Sequence, residues 1–246
     1  MVRDALDPEW RLGSRGREDS HMRREEPVQV AEGAEPAPAR LAATVVVARP
    51  ALGDGIEVLA LRRGASSRVL PGFVVFPGGT VDEGDPDLAE RWFGSAEEAP
   101  RACALRELAE EASLALTRSG LVAATTSADD EALALVTEAP PGTDQVVPLA
   151  RWLAPDFLPV RFDAHFFTIG AGREVAPIAD GVEIETAWWA TPADLLAAFR
   201  VGDAPLAWPT YKTLETLAER CRSVEDVLAL RMEPSPPPGF EPPGRS

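Results

Sequence analysis

Apolar positions along this chain change period several times. Leu41–Ala48 and Glu57–Leu61 are short apolar runs that predict strands, and Gly53-Asp54-Gly55 between them predicts a hairpin turn. Phe73–Phe76 is a third short apolar run, and it stops at Pro77-Gly78-Gly79. From Pro100 to Leu116 the period becomes helical, with Leu105, Leu108, Ala109 and Ala112 on one stripe. Asp129–Glu138 predicts a second helix, and Val146–Leu153, Phe162–Ile169 and Val182–Trp189 predict three more strands. Thr191-Pro192 starts a helix that runs to Phe199, with proline in its first turn. Helices at Thr210–Arg220 and Ser223–Leu230 close the pattern, the second capped by Ser223 with Asp226 three residues on. This order predicts a mixed sheet flanked by helices in one domain of the α+β class.

The ends break the pattern. Residues 1–40 are charged and lack periodic apolar positions, and residues 233–246 are proline-rich. Both read as disordered segments around a folded domain at 41–232. Met22 is a second candidate start. The 246 residues are 45% hydrophobic, enough for one sizeable core. No apolar run is long enough to span a membrane, and the N-terminus has no secretory apolar region. Gly244-Arg245-Ser246 is not a peroxisomal address. Cys103 and Cys221 form neither a disulfide framework nor a zinc set, which suits a reducing cytoplasm. A formal charge of −16 argues against sequence-independent nucleic-acid binding. It also means that an anionic ligand needs local arginine or bound metal to reverse the field.

The chemistry concentrates in Arg106-Glu107-Leu108-Ala109-Glu110-Glu111. The offsets of Glu107, Glu110 and Glu111 put three carboxylates on one side of a helix. Like charges so close repel, so the arrangement is unfavourable unless a cation sits among them. Carboxylates are hard ligands suited to Mg2+ or Mn2+. Gly78 and Gly79, upstream, permit close approach of backbone to a ligand. Together they make a candidate metal–phosphate site.

These residues resemble the Nudix hydrolases, whose signature is G-x5-E-x7-R-E-U-x-E-E-x-G-U, with U a bulky aliphatic residue. Gly79, Arg106, Glu107, Leu108, Glu110, Glu111 and Leu114 match. Asp85 stands for the first Glu and Ser113 for the later Gly. Twenty residues rather than seven separate Asp85 from Arg106, as if thirteen had been inserted at about 86–98. The box thus spans about 79–114. The branch typified by the peroxisomal coenzyme A diphosphatase tolerates such expansion. Leu70–Gly79, Asp82, Trp92, Arg161-Phe162-Asp163, Phe166-Phe167, Glu183, Trp189, Pro192, Leu206 and Pro209 are similar to it as well.

The resemblance implies an α/β/α sandwich whose box forms a loop–helix–loop, with extra C-terminal helices. It implies a metal-dependent hydrolase acting on the diphosphate of a nucleoside diphosphate derivative, and it leaves room for a homodimer. Arg106, Glu107, Glu110 and Glu111 form the expected catalytic set. Glu107, Glu110, Glu111 and the Gly79 carbonyl are the expected metal ligands, with Arg106 bracing the carboxylates and Asp85 bracing Arg106. Arg62, Arg63, Arg68, Arg161 and Glu183 are weaker candidates for substrate contact, and the general base is left open between a box glutamate and Glu183. Of each aromatic pair, Phe166-Phe167 and Trp188-Trp189, strand alternation predicts one member facing inward. His165 and Cys103 read as structural. Ser113 and the insertion motivate one alternative, a Nudix-fold binding or regulatory module without turnover. A prenyl-diphosphate isomerase ranks lower, since neither cysteine lies in a matching context.

Overall fold

The structure is a computed structural model that describes residues 37–67, 69–125, 129–155 and 161–236. Almost all of the N-terminal lead-in, most of the proline-rich tail and Arg68 lie outside those residues.

Seven strands make the main sheet: β1 (Arg40–Pro50), β2 (Ile56–Arg63), β3 (Val74–Val75), β4 (Gly78–Thr80), β7 (Val147–Leu153), β8 (Phe162–Gly170) and β9 (Ile184–Ala190). Helix α1 (Asp85–Phe93) and helix α2 (Ala99–Ala112) follow β4, and a small hairpin of β5 (Leu114–Thr117) and β6 (Gly120–Ala123) follows α2. Then come α3 (Asp129–Glu138) and the C-terminal helices α4 (Pro192–Arg200), α5 (Trp208–Arg220) and α6 (Val224–Ala229). The main path runs β3-β2-β1-β8-β7, with β8 parallel to β1 and β7 antiparallel to β8.

Both faces of this sheet are covered. In β1, Ala43, Val45 and Val47 face α2, while Val46 and Ala48 face the layer of α4, α5 and α6. In β2, Leu59 and Leu61 face α2, and Val58 and Ala60 face the other layer. A strand buried on both sides reads as a continuous apolar run rather than an alternation. That overturns the expectation for the aromatic pairs. Phe166 and Phe167 are both buried, on opposite faces, and Trp188 and Trp189 likewise pack against opposite layers.

The feature that positions the site is the parting of β1 from β2. The two pair only at Ala48–Pro50 with Ile56–Val58. Beyond that they diverge, and the segment 74–80 enters the gap. Val74 and Val75 join β2, Gly78–Thr80 join β1, and the Pro77 carbonyl accepts from the Val45 N–H at 2.9 Å. The glycine turn is therefore wedged into the sheet rather than looped above it. β4 has no apolar pattern of its own, so its pairing is imposed by the edge that β1 leaves open.

The insertion is structured. Asp85 opens α1 with Pro86 in the first turn, and Ala89 and Trp92 are buried in the core under α2. Trp92 Nε1 donates to Thr137 Oγ1 of α3 at 3.1 Å, so the insertion is fastened at its far end too. Helix α2 stops at Ala112, short of the expected Leu116, because Ser113 takes a left-handed conformation (φ 54°) and the chain turns into β5. The position does require positive φ, although it is not a glycine. Ser113 is 2% exposed; its N–H donates to the Ala109 carbonyl at 3.0 Å and its Oγ to the Ile178 carbonyl at 3.1 Å.

A left-handed residue costs about 1–2 kcal/mol, and one hydrogen bond returns about 1. Ser113→Gly should thus stay within about 1 kcal/mol of the parent in urea unfolding. Ser113→Val, β-branched and without the hydroxyl, should lose about 2 kcal/mol or more. Equal midpoints for Val and the parent would disprove the left-handed cap.

Candidate functional site

Helix α2 crosses the glycine turn, and its last two turns bring Arg106, Glu107, Glu110 and Glu111 against β4. Arg106 organises the group. Its Nε and Nη2 donate to the two Asp85 oxygens at 2.8 and 3.1 Å. Nη1 donates to Glu107 at 2.9 Å and to Glu110 at 2.8 Å, and Nη2 also reaches the Thr80 carbonyl at 3.2 Å. Asp85 is fully buried, and its side chain also accepts from the Asp82 N–H at 2.7 Å. The shorter acid still reaches Arg106 because the insertion starts a helix at Asp85 and carries the carboxylate to the guanidinium. Burial opposes the Arg106 charge, but the Asp85 hydrogen bond and the charges of Glu107 and Asp85 more than offset it and raise the pKa.

Glu111 points the other way, into the wedge. It is 4% exposed, accepts from the Gly78 N–H at 3.0 Å and lies 3.7 Å from Arg63 Nη1. Burial and the neighbouring Glu107 charge push its carboxyl well above the usual range, against the opposing Gly78 N–H and Arg63. Burial likewise pushes Glu107 up to about 7, with Arg106 pulling it down. Two carboxylates strained in this direction gain from any added positive charge.

The glycines are required by space. A Cβ on Gly79 would overlap the Glu107 carboxylate, and one on Gly78 would strike the Ala43 carbonyl and Thr44. Cys103 lies beneath, fully buried, with Sγ 3.4 Å from the Thr80 carbonyl; burial and the Asp85 charge push its thiol up, away from nucleophilic form.

The weaker candidates separate by strand parity. Arg63 shares the α2 face with the carboxylates, pairs with Glu183, and donates from Nε to the Val69 carbonyl at 2.9 Å. Arg62, one residue earlier, turns to the opposite layer and donates to the carbonyls of Gly72 and Asp203. It is not brought to the carboxylates. Arg161 donates to the carbonyls of Ala37 and Ala154 and makes no contact with the carboxylates. Glu183 is brought in through Arg63, held on a loop whose Asp180 side chain accepts from the N–H groups of Val182, Glu183 and Ile184. Beside them lies a cleft of about 440 Å³ lined by Arg63, Ser66, Ser67, Val69, Val182 and Glu183. Ser66, Ser67 and Val69 were missed because nothing in their spacing marks them. Only the return of β9 against β2 brings them to this cleft. His165 is half-buried, 3.7 Å from Asp163, and burial pushes its pKa down.

Among the described residues no three acidic, histidine or thiol side chains converge into a ready metal shell. Glu107 and Glu110 are turned to Arg106, and Glu111 to Gly78 and Arg63. The donor chemistry nevertheless fits a hard dication. The set is all oxygen, Glu111 is buried with only Arg63, among the described residues, to offset its charge, burial raises Glu107 as well, and Gly79 leaves no Cβ between the turn and Glu107.

Asp85→Asn should destabilise the fold by about 2 kcal/mol, since it breaks a buried two-point charge-assisted pair while Arg106 keeps Glu107 and Glu110. Urea unfolding measures it, and a loss under about 0.5 kcal/mol would show that Arg106 does not depend on Asp85.

Comparison with known proteins identifies the family. Residues 38–208 match the family model described as NUDIX domain. A crystal structure of a Nudix hydrolase from Alicyclobacillus acidocaldarius superposes with a TM-score of 0.67 at 31% identity, covering 80% of this chain and 99% of that one. A Caenorhabditis elegans protein named as nudix hydrolase 7 is 26% identical over 173 residues, 66% of this chain. The chain spans 56% of that relative's length. With the family model covering most of the chain and its box laid out around Arg106, the chain belongs to the Nudix hydrolase family.

Proposed function

We propose that this chain hydrolyses the diphosphate linkage of a nucleoside diphosphate joined to a second moiety, with Mg2+ or Mn2+ as cofactor. The observation that carries the reading is the buried Glu111, faced by the Gly78 N–H and by Arg63 at 3.7 Å, with the half-buried Glu107 beside it, both packed against Gly78-Gly79. Glu107, Glu110, Glu111 and the Gly79 carbonyl would hold the metal. When bound, the metal neutralises phosphoryl charge and lowers the pKa of the attacking water.

The chain's own residues do the rest. Arg106 restrains Glu107 and Glu110, so that their carboxylates start from defined positions. Asp85, fully buried, fixes Arg106 through both carboxylate oxygens. Arg63 supplies positive charge at the cleft mouth, where a chain of net charge −16 would otherwise repel a diphosphate. A glutamate serves as the base, with Glu183 and the box glutamates as the candidates.

Coenzyme A and its acyl derivatives are the first substrates to test, because of the expanded box. The sequence Leu70-Pro71-Gly72-Phe73 lies where other coenzyme A diphosphatases carry their own motif, so ADP-ribose, dinucleotide polyphosphates and nucleotide sugars belong beside them. The reading without turnover loses its two motives. Ser113 adopts the left-handed conformation itself, and the insertion preserves the Asp85–Arg106 contact.

Purified protein should therefore release phosphate-containing products from one of coenzyme A, ADP-ribose, NADH or diadenosine polyphosphates with Mg2+ or Mn2+, the masses identifying the phosphorus attacked. Glu110→Gln and Glu111→Gln should each cut that turnover by orders of magnitude while far-ultraviolet circular dichroism stays unchanged. Near-normal rates in both would remove them from the ligand set. Saturation with Mn2+ to about 100 times its Kd should raise stability by about 2.7 kcal/mol, reversed by EDTA. An unmoved melting temperature counts against a metal site.

A further inference from the structure

The cleft and the carboxylates share one residue, Arg63, and its three contacts are unequal. Nε donates to the Val69 carbonyl, and Nη2 pairs with Glu183, which is half-exposed at the cleft mouth. Nη1 faces Glu111 at 3.7 Å, too long for a hydrogen bond and close enough for a strong ion-pair attraction in a site where both side chains are nearly buried. Two contacts thus hold the guanidinium in place, and the third only neutralises charge.

A dication near Glu111 would take over that neutralisation and repel the guanidinium. Val69 and Glu183 would still hold Arg63, so little side-chain movement is needed. Nη1 is then left without its carboxylate, beside a cleft of about 440 Å³ whose Ser66 hydroxyl can also donate, the Ser67 hydroxyl being engaged with the Glu183 carbonyl.

The geometry points to Arg63 as an exchange residue: it neutralises Glu111 in the metal-free protein and is handed to a phosphoanion in the cleft when a divalent cation takes its place. This rests on the metal-dependent reading above. The consequence is coupling. Cation uptake prepares the anion subsite, and by linkage the anion strengthens cation uptake by the same factor. The sign distinguishes this from a bracing role. A brace, when removed, weakens every ligand. An exchange residue, when removed, tightens the cation it competes with and weakens the anion it receives.

The test is calorimetric titration of the full chain with Mn2+, then with methylenediphosphonate, a diphosphate analogue that resists hydrolysis, in the presence of Mn2+. Arg63→Gln should bind Mn2+ about tenfold tighter than the parent, because a competing charge is gone. The same variant should bind methylenediphosphonate about tenfold more weakly. Arg63→Lys keeps the charge but not the fork, so it should hold Mn2+ within about twofold and still lose diphosphonate affinity. It also serves if the Gln variant does not fold. Parallel loss of both ligands, unchanged Mn2+ affinity in Arg63→Gln, or unchanged diphosphonate affinity in either variant overturns the exchange. Absence of Mn2+ uptake by the parent would instead defeat the metal-dependent reading itself.

Discussion

The pairing of one guanidinium with three carboxylates is the constraint on which the rest of this site depends. Glu107, Glu110 and Asp85 converge on Arg106, and the fully buried Asp85 is tolerable because both its oxygens are hydrogen-bonded to that fork and one also accepts the Asp82 N–H. Glu111 is left outside the arrangement, facing a backbone N–H and a second arginine. The division is what gives the helix its chemistry. Acids answered by Arg106 are held still, and the acid only partly answered by Arg63 keeps its appetite for positive charge.

Backbone architecture makes that division possible. β1 and β2 separate, and the segment carrying Phe76-Pro77-Gly78-Gly79 fills the gap by pairing with one strand at each end. A turn fixed between strands cannot drift as a surface loop does, so the Gly78 N–H and Gly79 backbone present themselves at a defined height below α2. Close packing there excludes any side chain at either glycine. The insertion contributes rigidity as well as reach. Its first part folds with Asp85 as α1, packs Ala89 and Trp92 beneath α2 and is fastened to α3, which holds Asp85 at the start of that helix.

Charge explains why arginine position matters more than arginine number. The chain carries a net charge of −16, so its surface repels a diphosphate at long range. Arg62 and Arg63 are adjacent in sequence and equal in chemistry. Strand parity sends one to the carbonyls of the opposite layer and the other to the carboxylate face. Only the second can offset the local field.

The sequence by itself determined the elements whose cause is local. The helical stripe through Leu105, Leu108, Ala109 and Ala112, the capped C-terminal helices, the apolar runs of β1 and β8, and the box carboxylates with their glycine turn were all legible, because period, caps and like-charge crowding are properties of neighbours in the chain. What it could not determine was anything set by distant partners. β4 is a strand because β1 leaves an edge open. β5 reads as the end of α2, since Leu114 and Leu116 continue the apolar run and only the left-handed Ser113 breaks it. The aromatic pairs are buried on both sides because helices cover both sheet faces. Whether Arg62, Arg63 or Arg161 meets the carboxylates depends on which face and which edge each strand end occupies. Those are decisions of packing between segments far apart in sequence, and no local pattern encodes them.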